Sequence, residues 1–237
     1  LSEVVGILEA RAVHDGPERE AVVRSARVGS TVYLDLGDPE WNIVEITKIG
    51  WSIRTPQTAP VRFLRPTSML ALPHPVACGT IASLSPFLNT DTRGFILCCA
   101  WITAALGSPG QYPILALSGE AGSGKSLVTE VCRSFVDPNE APLRAKPKDE
   151  RDLYISAMNS HALCFNNLSD MPMWLSDALC GIALGSGTAT RQLFTDTDET
   201  IIQATRPIIV NGIPDLTRQT DFADRSLAVL LHRVRPD

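Results

Sequence analysis

Apolar and polar positions follow three successive rhythms along this chain. Over 1–13, Val4, Val5, Ile7, Leu8 and Ala12 recur at near-helical spacing, which predicts a short helix. The polar break HDGPERE follows, and the period then falls to two. Val32, Leu34 and Leu36 alternate with Tyr33 and Asp35, the turn Gly37-Asp38-Pro39-Glu40 intervenes, and the short β-rich runs WNIVEI, IGWSI and VRFL come next. The pattern predicts a small antiparallel sheet. Trp41 and Trp51 fall inside it and, like Trp101 further on, read as core residues. The stiff segment LPHP at 72–75 marks a boundary. Residues 1–75 are therefore expected to form a small β-rich domain and 76–237 a second domain.

The third rhythm mixes longer helical stretches with short continuous apolar runs. Helices are predicted over 80–88 and 93–106, the second stopped by Gly107-Ser108-Pro109-Gly110. The run YPILALS at 112–118 fits a strand buried on both faces. Further helices are predicted over 125–135, 149–159 and 173–184. In the last of these, Trp174, Leu175, Ala178, Leu179 and Ile182 form one stripe. Further buried strands are predicted over 162–165, 207–210 and 227–231. Strands alternating with helices predict an α/β fold with a mostly parallel sheet.

Composition narrows the picture. A chain of 237 residues, 44% hydrophobic and 20% charged, can bury a core, which excludes global disorder. Lys and Arg number 21 against 26 Asp and Glu, a net charge of −5. That balance excludes a generic polycation that coats nucleic acid and leaves local basic sites open. The longest apolar run, FILCCAWITAAL, is shorter than the roughly 20 residues a membrane span needs. No secretory leader pattern stands at the start, so a cytoplasmic location without a membrane partner is expected. Cysteines 78, 98, 99, 132, 164 and 180 form no Cys-x-x-Cys and pair with no histidine at metal spacing. They read as reduced core thiols.

One motif carries specific chemistry. Gly119-Glu120-Ala121-Gly122-Ser123-Gly124-Lys125-Ser126 matches G-x-x-x-x-G-K-[ST] at every position, between a predicted strand and a predicted helix. Glycines there permit backbone angles that let successive N–H groups point at phosphate oxygens. The helix that follows adds its positive end. Lys125 supplies a mobile charge for the β- and γ-phosphates, and the Ser126 hydroxyl suits Mg2+. ATP with Mg2+ is the expected cofactor pair. A nucleotide loop alone fits a helicase, a small-molecule kinase, a GTPase or a transport ATPase equally.

The segments that follow the loop are HALCFNNLSDMP, GIALGSGTATRQLF, RPIIVNGIP and DFADRSLAVLL, in that order. Over roughly 80–233 they resemble the superfamily 3 helicase domain of phage and viral primase-helicases, a branch of the AAA+ ATPases. They are especially similar to its relatives in bacterial mobile elements. The resemblance implies an AAA+-like P-loop fold, ATP-driven DNA unwinding or remodelling, single-stranded or forked DNA as partner, and a ring-shaped homo-oligomer. It implies that Leu163-Cys164-Phe165-Asn166-Asn167 is the Walker B strand, and that Gly185-Ser186-Gly187 with Arg191 precedes a DNA-binding hairpin. It further implies that Asn211 is the polar sensor of the γ-phosphate. Arg225 would be an arginine that reaches the neighbouring subunit's nucleotide.

Two departures from that pattern change the expectation. Asn166 and Asn167 are neutral where carboxylates normally stand, and an amide is a poor base. This favours weak hydrolysis, or an ATP-binding regulatory or assembly module, with Asp170 as the nearest acid. The tip of the hairpin, 195–199, carries three acids that repel a phosphate backbone. Arg191 and Arg206 at its base are then the basic candidates for DNA. Plainer readings stand beside these: Asn211 as a turn cap, Arg225 paired with Asp221 or Asp224, and Arg191 as a solvated charge. The stretch Arg144, Lys146, Lys148, Arg151 reads as a solvated loop.

Overall fold

The alternating run at 31–36 lies in the second strand of an antiparallel meander. In this computed structural model residues 2–15, 20–107, 110–185, 188–191, 199–202, 204–213 and 216–233 are described. Helix α1 (Ser2–His14) opens the chain, followed by β1 (Ala21–Val22), β2 (Ser25–Val28), β3 (Thr31–Asp35), β4 (Ile43–Thr47), β5 (Gly50–Arg54) and β6 (Arg62–Phe63). Strands β2 to β5 pair in sequence order, all antiparallel. Strand β3 is covered on both sides. Val32 and Leu34 pack with Val44 and Leu72, while Tyr33 packs with Ala26, Ile43 and Ala59 on the other face. The run VRFL does not join this sheet; β6 pairs in parallel with β1 instead.

Of the three tryptophans expected in the core, only Trp101 is there, fully buried. Trp51 lies on β5, the edge strand, and every residue of that strand is exposed. Trp41 sits in the turn before β4 and is 44% exposed. A pattern of alternation cannot distinguish a central strand from an edge one, as at Trp51, nor a strand from the turn that leads into it, as at Trp41.

A 3-10 helix (Ile81–Phe87) replaces the α-helix expected over 80–88, because Pro86 inside it removes a backbone donor. Helix α2 (Thr92–Gly107), β7 (Ile114–Ser118), α3 (Lys125–Val136), α4 (Glu150–Met158), β8 (Leu163–Leu168) and α5 (Met173–Leu184) follow. Then come β9 (Thr188–Arg191), β10 (Glu199–Ile202), β11 (Ile208–Gly212), α6 (Thr220–Asp224) and β12 (Ser226–Leu230). Strands β12, β7, β11 and β8 lie side by side in that order, all parallel. The side chains of each strand alternate between two cores. Ile114, Ala116, Phe165 and Val210 face α4, α5 and α6, whereas Leu115, Leu117, Cys164 and Ile209 face α2 and α3. All six cysteines are free thiols, and only Cys78 is exposed.

The meander is fastened to the parallel-sheet half by a buried ion cluster. Arg24, fully buried, donates from Nε to Asp137 Oδ1 (3.3 Å) and from Nη2 to the Leu70 carbonyl (2.7 Å). Asp137 closes the C-terminal end of α3, and its Oδ2 also accepts the backbone N–H groups of His161 and Ala162, each at 3.1 Å. Arg133 of α3 lies 3.6 Å from the same carboxylate. A buried carboxylate between two arginines satisfies the requirement that interior charges be paired and hydrogen-bonded.

Candidate functional site

The loop after β7 closes tightly on itself. Gly124, at φ +77, is the N-cap of α3 in a left-handed conformation that a side chain would disfavour. A Cβ at Gly119 would stand 2.6 Å from Ser123 Oγ and 2.8 Å from the Leu231 carbonyl, so only glycine fits. Lys125 Nζ donates to the carbonyls of Gly119 and Glu120, both at 2.8 Å, and lies 3.4 Å from Ser123 Oγ. Glu120, Ala121 and Gly122 face solvent, whereas Ser123 is buried under the loop.

The end of β8 meets this loop directly. Ser126 Oγ donates to Asn166 Oδ1 at 2.8 Å. Asn167 takes a left-handed backbone, φ +56, and its N–H donates to Asn211 Oδ1 (2.8 Å). Asn211 is buried on β11, and its Nδ2 donates to Thr129 Oγ1 (2.7 Å). The Thr129 hydroxyl donates in turn to the Lys125 carbonyl (2.8 Å). An unbroken chain of hydrogen bonds thus runs from the end of β8, through β11, to the first turn of α3. Asn211 holds three elements in register and does so with both of its side-chain polar atoms. Gly119 to Ser126, Asn166, Asn167 and Asn211 are therefore brought together at the carboxyl ends of the parallel strands. In open α/β sheets, ligands bind there.

Thr129 was not legible as part of this site, whereas Ser123 lies within the motif itself. The only signal for Thr129 was a polar residue four positions after Lys125 on a helix face it shares with Val128, Cys132 and Val136. The stretch read as a solvated loop also behaves differently. Arg144 runs alongside β8, its N–H donating to the Cys164 carbonyl and its own carbonyl accepting from Asn166 N–H. Its guanidinium is half-buried against Ser160 Oγ (2.9 Å), and burial lowers its pKa. Lys146 ion-pairs with Asp170 at 2.8 Å, and that hydrogen bond holds the exposed Asp170 carboxyl below its ordinary range.

Arg206 and Arg225 precede β11 and β12 and so lie at the other end of the sheet. Arg225 precedes β12, and its carbonyl accepts from Ile114 N–H at the start of β7. Its Nη1 pairs with Asp221, one of the two partners anticipated. Arg206 donates from Nε to the Ala157 carbonyl (2.7 Å) and from Nη1 to the Thr205 carbonyl (3.0 Å), closing the last turn of α4. Burial lowers its pKa. Arg191 ends β9, opposite Glu199 of β10 in an antiparallel hairpin. That hairpin starts at Thr188, so Arg191 stands within its first strand and not before it, and the strand expected over 207–210 is β11. Ser186, Gly187 and the acidic tip up to Asp198 lie outside the described residues. Among the described residues no group of three His, Cys, Asp or Glu is placed to hold a metal ion. No helix among them is long and apolar enough to cross a membrane.

These features define a mixed α/β protein with a parallel sheet and a polar site at its strand ends. Residues 79–236 match the family described as "Actinomycete integrative conjugative element replication protein". The match spans about two thirds of the chain, and the chain belongs to that family of replication proteins. No curated protein matches the sequence. Among solved structures, it is similar to the apo A form of the NrS-1 C-terminal region (13% identity, TM-score 0.43, 83% of this chain and 58% of that one). It is also similar to NtrX from Brucella abortus in complex with ADP (15%, 0.37, 63% and 38%). A third is JCV helicase with a bound acetamide compound (11%, 0.35, 62% and 47%). The chain spans little more than half the length of the NrS-1 region it resembles.

Proposed function

We propose that this protein is an AAA+-like P-loop ATPase module that couples ATP binding and hydrolysis to DNA unwinding or remodelling during replication of a mobile element. The observation that carries the reading is the hydrogen bond from Ser126 of the glycine-rich loop to Asn166 at the end of β8. In a phosphate-loop enzyme these two positions share the metal bound to the nucleotide. The local chemistry fits an anion: a loop that only glycine can close at 119, a helix N-terminus, and a lysine held by carbonyls that it can exchange for phosphate oxygens.

The backbone N–H groups of 119–124 bind the phosphates, and Lys125 Nζ turns from its two carbonyls to the β- and γ-phosphates. Ser126 Oγ and Asn166 Oδ1 would hold Mg2+, which neutralises phosphate charge when bound. Asn211, through Asn167 and Thr129, keeps the strand ends and α3 at fixed separation. Arg225 acts on the nucleotide of a neighbouring copy in a ring-shaped homo-oligomer, and single-stranded or forked DNA is the partner. A second reading, an ATP-binding assembly module that hydrolyses little, is favoured by one observation. The side chain facing Ser126 from β8 is a neutral amide.

Nucleotide binding is tested by thermal melting with Mg-ATP. A ligand at a hundred times its Kd stabilises a fold by about 2.7 kcal/mol, a rise of roughly 5–10 °C in Tm for this size. Lys125→Ala should remove most of that rise. Unchanged melting of the unmodified protein at saturating ATP overturns the reading.

A further inference from the structure

The meander carries an aromatic platform that the nucleotide site does not use. Trp41 has a left-handed backbone, φ +60, which is unusual for a bulky residue. Its N–H donates to the Asp38 carbonyl across the turn (3.1 Å). The Arg65 guanidinium lies over the indole, 3.7 Å from the ring centroid. Arg65 is itself locked, its Nε donating to Asp35 Oδ2 at 2.8 Å and its other nitrogens reaching Asp35 Oδ1 and the Asp38 carbonyl. Asp35 is fully buried. Trp41 is thus stacked against a fixed cation while remaining partly open to solvent.

A cavity of about 250 Å3 opens beside Trp41, lined also by Ile43, Gln57, Arg62 and Phe63. Arg65 is not among the residues that line it. A second depression of about 280 Å3 shares Val61 and Arg62 with the first and adds Arg27. The charged side chains lining the two are Arg27, Arg62 and Glu20, a net positive track. Arg62 makes its own bonds, to the carbonyls of Ala59 and Val61, with Nη1 alone.

We propose that this track binds single-stranded DNA, with one unstacked base on Trp41 and the adjoining phosphates at Arg62 and Arg27. Base stacking on an aromatic ring beside a basic groove is the general mode of single-strand binding. A preformed platform lowers the ordering cost of the contact. Gln57 presents both a donor and an acceptor to the edge of the stacked base. The site lies outside the residues matched by the replication family, and it is independent of ATP.

The test is fluorescence anisotropy of labelled oligothymidylate with the full chain, without nucleotide and at low salt. Trp41→Ala should weaken binding by about tenfold or more, while Trp41→Phe retains most of it, within the range for a stacked base. Arg62→Ala should weaken binding several-fold and lower the salt slope by about one. Duplex DNA should bind more weakly than the single strand, since its bases are already stacked. Lys125→Ala should bind oligothymidylate like the unmodified chain, which separates this site from the proposed ATPase. Trp41→Phe also guards against a folding defect, with melting temperature as control. Unchanged affinity in both Trp41→Ala and Arg62→Ala, absence of binding to oligothymidylate, or tighter binding to oligouridylate each overturns the proposal.

Discussion

Asn166 stands at the end of β8 facing Ser126, where a carboxylate would carry charge toward a metal and toward an attacking water. An amide oxygen accepts the serine hydroxyl equally well, so the neutral residue keeps the contact while supplying no charge. Asn166→Asp keeps the acceptor for Ser126 and restores the charge. Its expected outcome is an increase of at least about tenfold in steady-state ATP turnover, which needs some 1.4 kcal/mol of barrier lowering, with little change in Tm. Brisk hydrolysis by the unmodified chain, with no gain in the variant, overturns this and turns attention to Asp170, now held by Lys146. The loop was legible because its residues are consecutive, and one pattern names them all. The chain from Asn167 to Asn211 to Thr129 was not, because its members come from three elements and meet only when the sheet assembles.

Helix α3 is fixed at both ends, by Thr129 near its start and by Asp137 just past its end. The apolar face that predicted the helix says nothing about either anchor. Its sequence limits were legible to within a residue; the role of Asp137 was not, since an acidic residue after a helix reads as solvated. His161 shares this anchor. It is buried, its N–H donates to Asp137, and its Nε2–H donates to the Ala105 carbonyl at 2.9 Å. Burial lowers the His161 pKa, opposed by Asp137 and the Ala105 carbonyl and reinforced by Arg206 and Arg24. The folded chain therefore keeps His161 neutral where the unfolded chain protonates it. The sign follows: its contribution to stability is complete above about pH 6.5 and is lost as pH falls from there toward the folded-state value. The slope reaches at most about 1.4 kcal/mol per pH unit. Urea midpoints compared between about pH 7.5 and 5.5 should fall more for the unmodified chain than for His161→Gln. Parallel decline in the two overturns the assignment. Carboxylates common to both chains cancel in the comparison.

On the scale of the whole molecule, the parallel sheet separates two candidate sites along its length. The glycine-rich loop lies at the carboxyl ends of the strands, and Arg225 lies at the amino ends, before β12. A five-residue strand extends about 15 Å, at roughly 3.3 Å per residue. Arg225 therefore lies about a strand's length from its own loop, and within one copy its guanidinium holds Asp221. The linear sequence gave it a plausible neighbourhood but no direction; the parallel order β12-β7-β11-β8 supplies the direction. If copies associate head to tail, as heterologous interfaces in closed rings do, this end of one copy can meet the loop of the next. A guanidinium is permanently charged and planar, suited to the spreading charge of a transferring phosphoryl group, and in trans such a residue is worth about 10³–10⁵ in rate. Arg225→Ala should accordingly leave ATP affinity nearly unchanged and lower hydrolysis by at least about tenfold. Lys125→Ala should remove most of the binding instead. Mixed together, the two variants form some interfaces that pair an intact loop with an intact arginine, so the mixture should hydrolyse ATP faster than either alone. The Asn166→Asp background gives both the turnover to make the comparison readable. Mixed assemblies that form, by native mass spectrometry, and yet remain as inactive as their parents would show that Arg225 serves only its ion pair with Asp221.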